Sequence, residues 1–555
     1  MEKLHFGHYL SIDSLSQLHL IKKVCLAFVL KKGDNQMSKL LNFIKSGLFT
    51  FIIFFVSAIA AIALLLYVTE NGIGISPDST IYLATANSLL EGEGFNSISI
   101  SMTHYQYPPV YPILLAVSGF FSQNIVDSTR WLHTNIYCVN AILFGILIYL
   151  NTQRNLLAVI IGLLLFLSSS TVLDIHSYAW SESPFIMFSF LSFLFLYFYL
   201  STKRWICLLI SGLCLGLAIA TRYVGIALLP PILISMFFFV NKPVKQRKKE
   251  ILTLLIISSL PTSIWVVKNL ISAQSAIILS NIYHPISLNK LRIGIFTFID
   301  MFLPFSVFGW LSLLVTIIIF CLFLSMGLIL NKKRGDFNHS QRISVVFISI
   351  GVLFVFTYFV VLIFSISFFY ANTPLDKRLL IPAYLIFYIS AFSLIFLFSS
   401  VVPKKNIWAV FIICIIVLSR TNISSEIDII REFHSNGKGY NSIFWKESHT
   451  LAKLDSMQLG TPIYSNGMDV IQFKLGLYAV SIPAYYSAYS LVDNENYSEQ
   501  LLSMCDVVED GEAIIVFLDG INRKYLPSKD ELLTDCELPI LFDAEDGTIY
   551  GIHEK

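Results

Sequence analysis

Charged residues are scarce in this chain of 555 residues, since Asp, Glu, Lys and Arg together make up only 13%, against about 25% in an ordinary soluble domain. Hydrophobic residues reach 55%, and the mean hydropathy is +0.71. Such a composition excludes an ordinary soluble enzyme. The expected surroundings are a lipid bilayer, and nucleic acid is not an expected partner.

The few charges are also unevenly distributed. Residues 421–555 hold 22 of the 36 acidic and 9 of the 38 basic residues, a balance of −13 that leaves +15 for residues 1–420. A contrast of this size indicates that the two regions face different solvents.

Long apolar runs recur along residues 47–420. A bilayer core requires roughly 20 apolar residues per helix, and the runs predict about eleven transmembrane helices. The fold class predicted is mainly α, a polytopic membrane protein with a small C-terminal extracytoplasmic α/β domain. The runs lie at 47–67, 131–150, 156–173, 185–201, 205–220, 224–240, 251–267, 305–330, 343–369, 379–402 and 406–420.

Lysine and arginine collect at every second connection between these runs, for example in Lys242-Pro-Val-Lys-Gln-Arg-Lys-Lys249 and Lys332-Lys-Arg334. Cytoplasmic loops are enriched in these residues. We therefore predict a multi-pass protein of the cell (plasma) membrane, with the first outer loop 68–130 and the domain 421–555 on the extracytoplasmic side. Residues 1–46 are predicted to be cytoplasmic. They are either an over-extended start before Met37 or an amphipathic segment on the membrane surface.

The acidic region 421–555 alternates short apolar runs with turn residues, which is typical of a small α/β domain ending in a hairpin around Ala544-Glu-Asp-Gly547. It has no strong phosphate-loop or metal signature. Cys505 and Cys536 are its only cysteines, and an oxidising exterior permits a disulfide between them. Two independent free thiols are the alternative.

The first outer loop begins with a helix signal. Ser76 or Asp78 is the predicted cap of a helix over 76–90, with Pro77 in its first turn. Gly92, Gly94 and the segment Tyr107-Pro-Pro-Val-Tyr-Pro112 end that helix. The loop is thus predicted to be structured.

The segment Pro77-Asp-Ser-Thr-Ile-Tyr82 resembles the start of the first outer loop in GT-C glycosyltransferases. These are integral membrane enzymes that use polyprenyl-phosphate sugars. The resemblance is strongest to the protein mannosyltransferase and lipid A aminoarabinose transferase branch. Its members carry an acidic residue here, often Asp-Glu, followed by Tyr. Ser79 stands in place of that Glu, so no role is carried over for the second acid.

Four further segments resemble the same family in the same order, and the resemblance covers roughly residues 47–400. Each motif is short and is weak evidence alone, and the resemblance depends on their shared order. The segments are Tyr107-Pro-Pro-Val-Tyr-Pro112, Tyr178-Ala-Trp-Ser-Glu-Ser-Pro184, Thr221-Arg-Tyr-Val-Gly225 and Lys377-Arg-Leu-Leu-Ile-Pro382.

The resemblance implies a glycosyltransferase that moves a sugar from a polyprenyl-phosphate donor to a lipid, glycan or protein acceptor on the outer face. Asp78 is the predicted general base, because an inverting transfer needs one carboxylate to deprotonate the acceptor. Arg378, with Lys377 and Arg222 behind it, is the predicted binder of the donor phosphate.

The remaining candidates are predicted to bind the acceptor or a divalent cation, although their spacing makes no recognised metal site. No cofactor is defined by the sequence. These candidates are Glu182, His104, His176, Tyr82 and Tyr107.

Structural interpretations of the same residues stay open on the sequence alone. Asp78 is also a plausible helix cap, and Glu182 is a plausible cap of the span that follows it. Arg222 and Arg378 are plausible interfacial anchors. Tyr107, Tyr111 and Trp180 fit an aromatic belt. For the whole chain, a transporter (flippase) or a polymerase of lipid-linked glycans is the alternative function. The lack of an internal repeat and the clustering of polar residues at outer helix ends favour the transferase.

Overall fold

The computed structural model of the chain describes residues 47–95, 107–122, 124–240, 242–273, 283–302, 337–369, 371–401, 427–457, 461–488, 490–536 and 538–552, with isolated positions between 309 and 335. The segment 1–46, His104 and most or all of the predicted spans 305–330 and 406–420 lie outside this set. Contacts divide the chain into two units, Met1–Val56 and Ser57–Lys555. The described helices and strands belong to the second unit, apart from the beginning of the first helix.

The region up to residue 401 is mainly helical in its described part. Its helices are α1 Gly47–Val68, α2 Pro77–Leu90, α3 Val110–Gly119, α4 Ile125–Asn151, α5 Leu156–Leu167, α6 Ser170–Ser177, α7 Glu182–Thr202, α8 Trp205–Thr221, α9 Leu229–Phe239, α10 Val244–Ala273, α11 Leu288–Asp300, α12 His339–Phe368 and α13 Lys377–Val401. A 3₁₀ segment, Tyr223–Leu228, joins α8 to α9.

Six of these helices, α1, α4, α7, α10, α12 and α13, are long and apolar enough to cross a membrane. A seventh span is formed if α5 and α6, which meet at 59°, are counted together. A multi-pass membrane protein is therefore confirmed. The number eleven stays a prediction, because two of the predicted spans lie outside the described residues.

Helix α2 begins where its sequence indicates. The Ser76 hydroxyl accepts a hydrogen bond from the Ser79 backbone N–H, and the Ser79 hydroxyl accepts one from the Ser76 N–H. Pro77 occupies the first turn, where its missing N–H is harmless. Ser76, and not Asp78, is thus the cap of this helix, and the Asp78 carboxylate is left available for other contacts.

The C-terminal region is built on one mixed sheet of five strands in the order β2-β1-β3-β5-β4. β3 pairs in parallel with β1 and antiparallel with β5, and β4 and β5 form the final hairpin. The elements are α14 Ile443–Lys446, α15 His449–Ser456, β1 Ile463–Ser465, α16 Met468–Leu475, β2 Ala479–Ser481, α17 Tyr497–Glu509, β3 Ile514–Leu518, α18 Lys529–Asp535, β4 Ile540–Ala544 and β5 Gly547–Tyr550.

Every side chain of β3 is buried, because the sheet is covered on both faces. One face packs against α15 and α16, and α16 in turn contacts α2. The apolar cluster on this side therefore extends to Tyr82, Ala86 and Leu115. The other face packs against α17 and the segment that follows α18. On that side the structure joins Cys505 to Cys536 in a disulfide, with Cα atoms 5.7 Å apart.

A segment that we call the strap, residues 434–446, fastens the C-terminal region to the loop 68–130. The Tyr440 N–H donates to the Ile75 carbonyl at 2.9 Å, and the Asn441 amide donates to the Ile73 carbonyl at 2.8 Å. Gly439 lies in the left-handed region at φ +53°, and a Cβ there would collide with the Ile75 backbone. Only glycine allows the two segments to approach this closely.

Candidate active site

Arg378, in the first turn of α13, is the centre of a charged cluster. Its Nη2 lies 2.9 Å from the Asp78 carboxylate and its Nε lies 2.5 Å from the Glu182 carboxylate. The guanidinium also covers the ring of Trp180, 4.0 Å from the ring centre. One arginine therefore joins the start of α2 to the start of α7, and it lies 300 residues beyond Asp78 in the sequence.

Arg222, which directly follows α8, extends the cluster. Its Nη1 lies 2.5 Å from the same Glu182 oxygen that accepts from Arg378, and it donates to the Ser181 hydroxyl at 3.2 Å. Two carboxylates face two guanidinium groups, so the four groups are neutral together.

The two carboxylates differ in accessibility. The Glu182 side chain is 1% exposed, whereas that of Asp78 is 38% exposed. Glu182 is held by two arginines through one oxygen. Asp78 has one arginine partner among the described residues and an open side, so it is the carboxylate that a substrate can reach.

Aromatic and hydroxyl side chains support the charges. The Trp180 indole N–H donates to the Ser76 hydroxyl at 2.8 Å, which ties the start of α7 to the cap of α2. The Tyr82 hydroxyl lies 3.4 Å from the Ser181 hydroxyl. Burial, followed by the nearby Asp78 carboxylate, raises the pKa of Tyr82 well above its usual value. Burial thus favours the neutral phenol form of Tyr82.

A cavity of about 350 Å³ opens beside this cluster, a size typical of small-molecule sites. Its polar wall includes Asp78, Arg222 and Arg378, its apolar wall is formed partly by the end of α12, and Ala488 comes from the C-terminal region. The lining residues are Asp78, Tyr82, Tyr107, Pro108, Ser181, Thr221, Arg222, Tyr223, Val224, Leu362, Ser365, Ile366, Asn372, Thr373, Arg378, Leu379 and Ala488.

The predicted site residues divide into two groups. Asp78, Arg222, Arg378, Tyr82 and Tyr107 line the cavity, and Glu182 lies directly behind the two arginines.

Lys377 and His176 do not line the cavity. Lys377 pairs with Asp300 at 2.6 Å. His176 is fully buried, where its Nδ1 bonds the Val172 carbonyl and its Nε2 bonds Asn140. His104 lies outside the described residues. Across the described residues no group of three or more His, Cys, Asp or Glu side chains is arranged to hold a metal ion.

Sequence reasoning missed Trp180 and Ser181, although both lie in the motif that contains Glu182. Trp180 fits an aromatic belt by composition, yet it is 8% exposed and stacks beneath Arg378. Both residues lie within two positions of Glu182, and this proximity was the sequence feature that could have indicated them.

Replacing Glu182 with Gln is expected to lower the free energy of unfolding by about 3 kcal/mol, because a buried ion pair loses one partner. Both guanidinium groups lose their shared anchor, so we also expect weaker binding of any anionic ligand of the cavity. Asp300→Asn, which breaks the Lys377 pair outside the cavity, is the matched control. Thermal unfolding and ligand titration check both effects. Equal behaviour of the two variants would contradict this role.

Lys438, in the strap, is a second buried charge that sequence reasoning missed. Its Nζ lies 2.6 Å from the Asp174 carboxylate and 2.7 Å from the Ser177 hydroxyl, next to the Tyr178 to Glu182 motif. Burial lowers the pKa of Lys438 to about 8, with Asp174 acting in the opposite direction. The strap therefore places a costly ammonium group against the segment that positions Trp180.

The lowered pKa of Lys438 has a defined consequence for stability. An unfolded lysine keeps its proton to about pH 10.4, so between about pH 8 and 10 the unfolded chain binds more protons than the folded one. The Lys438 contribution to the free energy of unfolding rises with pH over this interval, by on the order of 1 to 3 kcal/mol. Thermal unfolding of wild type and Lys438→Met at pH 7 and 9.5 measures it. The free energy of unfolding of the wild type should increase relative to that of the variant as the pH rises. A constant difference, or the same change in the strap control Lys446→Met, would contradict the assignment.

Comparisons with known proteins concern the family and the fold. Residues 106–265 match the family model described as dolichyl-phosphate-mannose-protein mannosyltransferase. No curated protein matches the chain by sequence.

Among solved structures, ArnT from Cupriavidus metallidurans in the apo state is similar, with 13% identity and a TM-score of 0.55, over 91% of this chain and 98% of that chain. The same protein bound to undecaprenyl phosphate gives 12% identity and a TM-score of 0.52, with the same coverage. AftD from Mycobacteria gives 12% identity and a TM-score of 0.47, over 90% of this chain and 40% of that chain. At such identities the likeness concerns the fold. By family model and by fold, the resemblance to the GT-C glycosyltransferases predicted from the sequence motifs is confirmed.

Proposed function

We propose that this chain is a glycosyltransferase that takes a sugar from a polyprenyl-phosphate donor and transfers it to a hydroxyl-bearing envelope acceptor on the extracytoplasmic face. The observation that carries the proposal is the pairing of the accessible Asp78 carboxylate with Arg378 at the wall of one cavity. The fold shared with ArnT, solved with undecaprenyl phosphate, supports the donor class.

The reaction is a single displacement at the anomeric carbon. The bond from that carbon to the phosphate oxygen breaks, and a bond to the acceptor oxygen forms. Asp78 takes the acceptor proton, and the phosphate leaves with the bonding electron pair. A carboxylate placed as base contributes roughly 10² to 10⁴-fold to such a step.

Arg378 and Arg222 stabilise the charge that develops on the departing phosphate. Guanidinium groups bind phosphate through two parallel N–H donors. Donors already aimed at the charge act without reorganisation in the transition state. Glu182 holds both guanidinium groups in place and so positions them. Lys377, directed to Asp300, takes no part in this assignment.

In the structure the cluster is neutral and Arg378 pairs with Asp78. A donor phosphate competes with Asp78 for the same guanidinium. Binding the donor therefore frees the Asp78 carboxylate for the acceptor, which couples donor binding to activation of the base. The base is thus restrained until its reaction partner is present.

The purified full-length protein, incubated with a panel of polyprenyl-phosphate sugars and envelope extracts, tests the proposal. Mass spectrometry should show the unsubstituted polyprenyl phosphate accumulating together with a glycosylated acceptor. A sugar that stays on its carrier while crossing the membrane of a vesicle would overturn the proposal in favour of transport.

A further inference from the structure

A second cavity, of about 440 Å³, lies at the opposite end of α12 from the candidate active site. Arg342 and Val345 of α12 line this cavity, whereas Leu362 and Ser365 of the same helix line the first. At 1.5 Å per residue, Arg342 and Ser365 are separated by about 35 Å along the helix, which is close to the thickness of a bilayer core. The two cavities therefore lie near opposite faces of the membrane, the second on the face predicted to be cytoplasmic.

Three cationic side chains line this cavity: Lys242, Arg247 and Arg342. Lys242 is compensated, since its Nζ lies 2.8 Å from Glu250. Among the described residues, the two arginines have no acidic partner. The Arg247 guanidinium donates to the Phe237 carbonyl, and the Arg342 Nε donates to the Phe337 carbonyl at 3.0 Å. The cavity thus carries two positive charges that no described carboxylate balances.

One donor beside the cavity lacks an acceptor. The Arg247 Nε atom is buried and has no hydrogen-bond partner in the described part of the chain. A buried N–H group without an acceptor is costly, and this one belongs to a cation at the cavity wall. The Arg247 side chain therefore has hydrogen-bonding capacity that the described residues leave unused.

The rest of the wall is apolar. Phe238, Phe239, Val240 and Phe337 line the cavity, and Phe238 is also 63% exposed on the outside of the helix bundle. An apolar surface therefore continues from the cavity to the surface that faces lipid. A ligand with a phosphate and an attached hydrocarbon chain uses both parts, whereas a soluble phosphate uses only the arginines.

We propose that this cavity binds the phosphate headgroup of an anionic membrane lipid of the cytoplasmic leaflet, with Arg247 and Arg342 on the phosphate and the lipid chain along Phe238. Arginine suits this task because its planar group presents paired donors to phosphate oxygens. The lipid neutralises the two arginines and fixes the end of α12, whose other end forms the active-site cavity. The site is independent of the transferase proposal.

Native mass spectrometry of the full-length protein, with phosphatidylglycerol competing against phosphatidylcholine, tests the site. The wild type should retain one phosphatidylglycerol selectively. Arg247→Gln/Arg342→Gln should weaken this retention at least 10-fold. The control Lys245→Gln/Lys248→Gln removes two charges from α10, the helix of Arg247, that do not line the cavity. This control should retain the lipid.

Arg247→Lys/Arg342→Lys separates lost binding from misfolding, since it keeps both charges and should retain part of the selectivity. Equal loss in the Gln double variant and in its control would overturn the proposal in favour of unspecific surface attraction. Absence of any preference for phosphatidylglycerol would also overturn it. Release of the lipid by low-millimolar inorganic phosphate would overturn the lipid assignment in favour of a soluble anion.

Discussion

Asp78→Asn is expected to reduce sugar transfer by roughly 10² to 10⁴-fold, the usual contribution of a positioned base, while donor binding becomes tighter. The two effects have opposite directions because Asp78 plays two parts. In the proposed mechanism it takes the proton of the acceptor during transfer, and it pairs with Arg378 until the donor binds. An amide keeps the size of the side chain but loses the basicity and the competing charge. Initial rates and donor titration on the same protein measure both effects.

Asp127→Asn is the matched control, because Asp127 is an exposed aspartate in the first turn of another helix, α4. Both replacements remove a favourable interaction with a helix dipole, so that effect cancels in the comparison. Full transfer activity in Asp78→Asn would remove Asp78 from the mechanism. Weakened donor binding in the same variant would reject the competition between Asp78 and phosphate.

Arg378→Lys is expected to lower kcat/KM by at least 100-fold, mostly through a higher KM for the donor. Arg378 contacts Asp78 through Nη2 and Glu182 through Nε while lying over the Trp180 ring. A single ammonium cannot reproduce these contacts, although it keeps the charge. Steady-state kinetics with varied donor concentration measure the change.

Arg292→Lys controls for the loss of a guanidinium from an aromatic ring. Arg292 lies over Phe296, 5.5 Å from the ring centre, and does not line the active-site cavity. The Arg292→Lys variant should have the same kinetics as the wild type. An Arg378→Lys enzyme with wild-type KM would show that the donor phosphate binds elsewhere.

Part of this arrangement is predictable from sequence because it depends on local chemistry. The Ser76 cap and Pro77 define the start of α2, and apolar runs define the long helices. The short motifs indicated Asp78, Glu182, Arg222 and Arg378, which the fold brings together. The separation of 300 residues between Asp78 and Arg378 means that only the tertiary fold shows their contact.

Other features have no local signature. Lys377 and Arg378 are adjacent in sequence, yet successive helix positions point about 100° apart, and one pairs with Asp300 while the other faces the cavity. The sequence ranked Arg378 first but kept Lys377 as a second phosphate binder. The Lys438 contact with Asp174 likewise depends on the strap crossing residues that are distant in sequence, and no motif marks it.

In the proposed mechanism Arg378 exchanges the Asp78 carboxylate for the phosphate of the donor. A structure of the full-length protein with bound polyprenyl phosphate tests this exchange most directly. We expect the Arg378 guanidinium within about 3 Å of a phosphate oxygen, the distance of a charge-assisted hydrogen bond, with the Asp78 carboxylate released toward the open cavity. A phosphate bound away from Arg378, with the contact between Arg378 and Asp78 intact, would contradict the account.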